Sequence, residues 1–182
     1  MTIRLLIADD EWIERQAMIK LITEELNQIE IIGEAANGRQ AIEQARKLEP
    51  HIVMMDIKMP GVDGLEAVRQ IRAELPKTKF IMVSAYNTFD YAKQAMREGV
   101  KEYLLKPSQN IEIIETIERV IKEIEEENKR ESEREILRDS YNRALSFVQS
   151  EWVSALLLDH IQDVDGEDWE TVFNPQDQKV YA

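Results

Sequence analysis

Five apolar runs of strand length, at residues 3–8, 29–32, 52–55, 80–83 and 103–105, alternate with longer stretches whose apolar residues recur at spacings of three and four. Ala41, Ile42, Ala45 and Leu48 mark one such stretch, and Leu65, Val68, Ile71 and Leu75 another. A run apolar at nearly every position has no face to offer water. It belongs in a sheet covered by helices on both sides, the environment of a parallel sheet. The alternation predicts five βα units, an α/β domain with a five-stranded doubly wound parallel sheet that ends near residue 124. Punctuation agrees: Asn37-Gly38 opens one helix, Pro60-Gly61 with Asp63-Gly64 opens another, and Gly99 stands where a third should end.

Beyond Pro107 the pattern becomes one long helical linker, free of Gly and Pro until Gly166. Ile114, Ile117, Ile121, Ile124 and Asn128 fall at alternating three and four spacing, the seam of a coiled coil, although Ile117 and Ile121 can instead pack the fifth helix on the sheet and leave the later segment to do most of the pairing. The apolar character then lapses through KEIEEENKRESERE and resumes at Leu137, Tyr141, Ala144, Val148 and Trp152. From Ile124 to Leu137 is 13 residues, one short of two heptads, so the seam slips or its halves serve different partners. The charged centre is either a solvated helix face or part of a parallel coiled coil in which Asn128 sets the register. The expected organisation is a first domain over 1–124, a helical linker over 125–158 able to pair two copies into a homodimer, and an acidic segment over 159–182 that resembles the opening of a further folded region.

Charge divides the same way. Residues 1–110 carry 17 acids and 15 bases, whereas 111–182 carry 19 acids and 8 bases. So acidic a segment repels a phosphate backbone, and DNA binding by this part is not expected. With no cysteine there is no disulfide, thiolate metal site or thiol redox chemistry. No stretch reads as a signal peptide or a membrane span, so the expectation is a cytoplasmic protein without membrane partners.

In a doubly wound sheet ligands bind beyond the carboxyl ends of the strands. Those positions hold Asp9, Asp10 and Glu11 after the first run, Asp56 after the third, Ser84 after the fourth and Lys106-Pro107 after the fifth. Singly, each has an ordinary explanation as a helix cap, turn acid or surface lysine. Together they form a chemistry: clustered carboxylates call for a cation, and Mg2+ suits a site that also holds a phosphoryl group. An ionised Asp is a nucleophile toward phosphorus, and a hydroxyl with an ammonium nearby stabilises the phosphoryl oxygens. His51 and His160 lack companions at ligand spacing. Trp12, Trp152 and Trp169 read as packing residues, and Met54, Met55, Met59 and Met82 as core and loop packing.

The segments IADDEW, MMDIKMPGVDG, MVSAYN and EYLLKP, taken with their spacing over residues 2–124, resemble the receiver domain of two-component response regulators, a CheY-like domain of flavodoxin-like fold. The resemblance implies that Asp56 accepts a phosphoryl group from a sensor histidine kinase. It implies that Asp10, Asp56 and the backbone carbonyl of Lys58 ligate Mg2+, with Asp9 acting at one remove or through water. Ser84 and Lys106 would contact the phosphoryl group, Tyr103 would be the aromatic switch, and the bond to Pro107 would be cis. The stretch YNTFDYAKQAMREGVKEYLLKP and the long acidic helix are similar to AraC/YesN-type response regulators, whose DNA-binding domain follows such a linker; DNA contact is then expected only through that domain, which residues 1–182 do not contain.

The leading expectation is a phosphorylation-controlled switch, a phosphoacceptor with slow self-dephosphorylation rather than an enzyme, serving transcription in its relatives. An alternative is a receiver-only interaction protein whose output is dimerisation or partner binding. A Mg2+-dependent aspartyl phosphatase is disfavoured because no capping insertion interrupts the βα repeats.

Overall fold

The computed structural model describes the backbone of residues 2–85 and 89–162, and the side chains of those residues apart from 89–92, 144 and 146–162. Strands and helices alternate as the apolar pattern predicts: β1 (Ile3–Ala8), α1 (Trp12–Glu25), β2 (Ile29–Ala35), α2 (Gly38–Leu48), β3 (Ile52–Asp56), α3 (Gly64–Glu74), β4 (Lys79–Ser84), α4 (Phe89–Arg97), β5 (Glu102–Leu105) and α5 (Asn110–Gln162). The sheet order is β2-β1-β3-β4-β5 and every pairing is parallel. This is the doubly wound, flavodoxin-like arrangement expected. The chain divides into two compact units, Met1–Glu127 and Asn128–Ala182.

Alternation along the strands sorts the core into two layers. On one face Leu6, Ala8, Val53, Met55, Phe80 and Met82 join Ala41, Ile42 and Ala45 of α2, Leu65, Val68 and Ile71 of α3, and Ala95 of α4. On the other, Ile3, Leu5, Ile7, Ile52, Met54, Ile81 and Val83 meet Met18 and Ile22 of α1 and Ile113, Ile117, Val120, Ile121 and Ile124 of α5. Met54, Met55, Met59 and Met82 are all buried, the packing role assigned to them above. Asn37 caps α2 by accepting the Gln40 N–H at 3.0 Å, and Asp63 caps α3 by accepting that of Glu66 at 2.8 Å. Gly99, at φ 78°, follows α4 in the left-handed region that favours glycine.

Three features differ from the sequence expectation, each for a physical reason. Strand β2 runs on to Ala35, three residues past its apolar run, because it is an edge strand whose residues are mostly half-buried or exposed. Trp12 is not a packing residue: it is 64% exposed at the start of α1, beside an equally unburied Ile13. Trp152 and Trp169 lie outside the described side chains.

The third concerns the isoleucine seam. Ile117, Ile121 and Ile124 are buried in the core and Ile114 packs against it, while Asn128 is exposed. These isoleucines seat α5 on the sheet and are not available as a dimer seam. Ile117→Ala should therefore lower the unfolding free energy by about 2–5 kcal/mol, the usual range for opening a core cavity, and leave the oligomeric state unchanged. Urea denaturation with sedimentation measures both.

Ion pairs tie the same helix to the strands: Lys79, the first residue of β4, reaches Glu127 at 2.7 Å and Glu123 at 3.4 Å, Lys101 reaches Glu123 at 2.5 Å, and Arg119 reaches Glu102 at 3.2 Å. Within the second unit Ile136, Leu137, Tyr141 and Leu145 are exposed, whereas the side chains of Ala144, Val148 and Trp152 lie outside the described residues. Among the described residues no helix is long and apolar enough to cross a membrane.

Candidate functional site

Strand order brings the carboxyl ends of β1, β3, β4 and β5 side by side, so residues far apart in sequence meet at one end of the sheet. Asp9, one residue past β1, is 1% exposed and every polar group it owns is engaged. Its N–H donates to the Ala35 carbonyl at 3.0 Å, its Oδ1 accepts the Glu11 N–H at 2.9 Å, and its Oδ2 accepts the Lys106 Nζ at 2.6 Å. Its carbonyl accepts the Arg15 Nη1 at 2.7 Å. Asp56, the last residue of β3, is buried, with Oδ2 accepting the Lys58 N–H at 2.8 Å and Oδ1 lying 3.5 Å from the same Lys106 Nζ.

Lys106 bridges the two buried carboxylates. Burial would pull its pKa down, but the Asp9 hydrogen bond and the charges of Asp9 and Asp56 outweigh that, and the net direction is upward. For Asp56 burial dominates: its carboxyl is pushed up to about 6, with Asp9 adding repulsion and Lys106 and the Lys58 N–H only partly offsetting it. One ammonium thus faces two buried carboxylates, and Asp10, the residue after Asp9, is exposed.

Ser84, fully buried at the end of β4, is placed beside Lys106, whose N–H donates to the Ser84 carbonyl at 2.7 Å. Tyr103 sits on β5 opposite Met82, half-buried against the core layer of α2, α3 and α4. The Lys106–Pro107 peptide bond is cis. Glu11 occupies the N-cap position of α1 without a side-chain cap bond. His51 lies before β3, where its Nδ1 accepts the Arg4 N–H at 3.0 Å, and takes no part in the carboxylate site. The backbone at His160 is helical, and its side chain is outside the described residues.

The donor set fits a hard divalent cation. Its atoms are all oxygens, it carries more negative charge than Lys106 neutralises, and Asp10, next in the chain to Asp9, is exposed. Among the described residues no three acid or imidazole groups form a ready cage, and Mg2+ does not require one, because it keeps several waters and takes one or two carboxylates.

Two contributions were not visible in the sequence. Arg15 belongs to no motif of the sequence, yet it is buried and donates to the Asp9 carbonyl. Gly64 reads as a helix opener, yet it is where α3 passes against the Asp56 backbone. For Gly64 a signal existed in the short loop after Asp56, which forces α3 to start close to the strand end.

Known proteins are similar to this chain in sequence and fold. The chain is 37% identical over 154 residues to the uncharacterized transcriptional regulatory protein YesN of Bacillus subtilis, a match that covers 85% of this chain and 42% of that protein. The receiver domain of AraT, a response regulator from Geobacillus stearothermophilus, superposes with a TM-score of 0.66 at 34% identity, covering 70% of this chain and 99% of that one. CheY in a CheX–CheY complex from Borrelia burgdorferi with BeF3 and magnesium gives a TM-score of 0.62 at 26% identity, covering 65% and 89%. Residues 5–118 match the model of the response regulator receiver domain, and the chain belongs to that family.

Proposed function

We propose that Asp56 is the phosphoacceptor, that its phosphoryl donor is a sensor histidine kinase, and that the phosphorylated domain serves a transcriptional regulator. The observation that carries this reading is the Asp9–Lys106–Asp56 arrangement, with distances of 2.6 Å and 3.5 Å from one ammonium to two buried carboxylates. Of the two, Asp9 has both oxygens occupied by close hydrogen bonds, whereas Asp56 keeps Oδ1 at the longer distance, the better placed nucleophile. That oxygen attacks phosphorus, the P–N bond of phosphohistidine breaks, and the imidazole leaves with its electron pair and takes up a proton. Lys106 then faces the new phosphoryl oxygens, and the Ser84 hydroxyl is the neighbouring donor on β4. Asp10 and Asp56, with the Lys58 carbonyl, are the residues proposed to hold Mg2+, while Asp9 orients Lys106 from behind. When bound, the ion neutralises the clustered carboxylates and the charge of the incoming phosphoryl group.

A phosphoryl group adds about −1.5 to −2 charge, and Ser84, Lys106 and Tyr103 are proposed as the elements that respond. Receiver domains act as phosphoacceptors, and slow self-dephosphorylation is the only turnover proposed here. Incubation with phosphoramidate and Mg2+ should give one labile phosphoryl adduct by intact mass, lost when the metal is chelated. An adduct of equal yield in chelator would overturn the metal-dependent reading.

Homodimerisation is proposed through the distal helix, on the stripe that includes Leu137 and Tyr141, both more than 60% exposed. Sedimentation at about tens of micromolar should show a dimer that Leu137→Glu weakens by at least about tenfold, since a charge is placed on an apolar seam. A wild-type monomer there, with and without phosphoryl donor, would reject it. The chain spans less than half of the YesN relative, and DNA contact is assigned to a region other than the acidic residues 111–182.

A further inference from the structure

Arg15 is a buried cation beside a cluster of carboxylates, and it pairs with none of the three. At 8% exposure it stands on the second turn of α1 and turns back over the β1–α1 loop. Its Nη1 donates to the backbone carbonyl of Asp9 at 2.7 Å, and its Nε lies 3.2 Å from Glu34 Oε2 near the end of β2. Gln16 of the same helix also donates to that carboxylate oxygen, at 3.0 Å. The guanidinium is therefore gripped from the far side by Glu34 and delivers a fixed donor to one peptide group.

That peptide joins Asp9 to Asp10. Its plane sets the direction in which the next residue leaves, and Asp10 is exposed where Asp9 is buried and held by four bonds. With the Asp9 N–H held by Ala35 and its carbonyl held by Arg15, the peptides on both sides of Asp9 are fixed. We infer that Arg15 is a positioning residue for the metal site, holding the Asp9–Asp10 peptide so that the Asp10 carboxylate is presented to the cation. The inference rests on the reading of Asp10 and Asp56 as Mg2+ ligands. A guanidinium suits the task because its planar fork addresses two acceptors in set directions, which a single ammonium does not do.

Electrostatics alone predicts the opposite sign. A positive charge close to a divalent site repels the ion, so removing it should tighten binding. Positioning predicts weaker binding, since losing the group that orients a ligand typically lowers metal affinity on the order of 10- to 100-fold. Calorimetric titration with MgCl2 on wild type, Arg15→Met, Arg15→Lys and Asp10→Asn separates the two. Both Arg15 variants should raise the Mg2+ dissociation constant by about tenfold or more, and Arg15→Lys, which keeps the charge and the better chance of folding, should show that the loss is geometric. In the Asp10→Asn background Arg15→Lys should have little further effect, because the ligand it positions is already gone. A wild-type dissociation constant in Arg15→Lys, or tighter binding in Arg15→Met, would overturn the inference while leaving the metal reading intact. Absence of Mg2+ binding by the wild-type protein would instead overturn that reading, and the inference with it.

Discussion

Asp56→Asn should fold normally and take up no phosphoryl group. The substitution keeps the shape of the side chain and an oxygen able to accept the Lys58 N–H, now bonded at 2.8 Å, but it removes the ionised oxygen that attacks phosphorus. Folding should not suffer, since burial pushes the Asp56 carboxyl up to about 6: the folded protein disfavours the charge there, and an amide carries none. Lys106 retains its closer partner, Asp9 at 2.6 Å, so the variant is not left with an unpaired buried ammonium. Intact-mass analysis after phosphoramidate and Mg2+ should show the adduct in wild type and none in the variant, with urea midpoints equal or higher. An adduct of undiminished yield would move the acceptor elsewhere, and a collapse in stability would mean that the carboxylate matters to the fold as well as to the chemistry.

The strand-end cluster is legible in the sequence because its signal is local. A strand buried on both faces ends where its apolar run stops, so the residue after the run is at the end of the sheet wherever the strand sits. Asp9, Asp56, Ser84 and Lys106 all stand at or just past such run ends. For α5 the pattern leaves two partners open. A helix that packs on a sheet and one that pairs with a copy of itself both show apolar residues at three and four spacing. The isoleucines from Ile114 to Ile124 could not say which surface they meet, and the answer lies in the opposing residues Ile81, Val83 and Leu104.

Arg15 and Trp12 escape the sequence for one reason. Trp12 reads as a packing residue and Arg15 carries no signal at all, but α1 turns Arg15 toward Glu34 and leaves Trp12 outward. Which side of a helix faces the neighbouring strand end depends on tertiary packing. For α1 the apolar pattern is also weak, since Trp12, Ile13, Ala17, Met18, Ile19, Leu21 and Ile22 run round the helix and one of its buried positions is Arg15.

Gly64→Ala should damage both stability and phosphorylation, although no chemistry passes through Gly64. A Cβ there would stand 2.0 Å from the Asp56 carbonyl oxygen, 2.9 Å from its carbonyl carbon and 3.0 Å from Met55 Cγ. Backbone atoms do not rotate aside as a side-chain tip does. The Asp56 end of β3 is held by its pairing with Val83 of β4, and the Gly64 N–H donates to the Ile57 carbonyl at 2.8 Å. Relief requires either that α3 retreat, loosening buried Leu65 and Val68, or that the strand end carrying the acceptor shift. Overpacking of this kind costs about 1–3 kcal/mol and occasionally more, and displacing a reacting group by about 1 Å lowers its rate on the order of 100-fold. Gly61 supplies the control. Its φ of 80° makes alanine strained, but a Cβ there meets nothing within 4 Å, so Gly61→Ala should lose about 1–2 kcal/mol with the phosphorylation rate nearly intact. The two variants, compared by urea unfolding and by the initial rate of adduct formation, distinguish loss of stability from loss of geometry. Equal rates in both would mean that α3 yields to the added methyl and Asp56 stays in place, and that the close approach of helix to strand is packing without consequence for the acceptor.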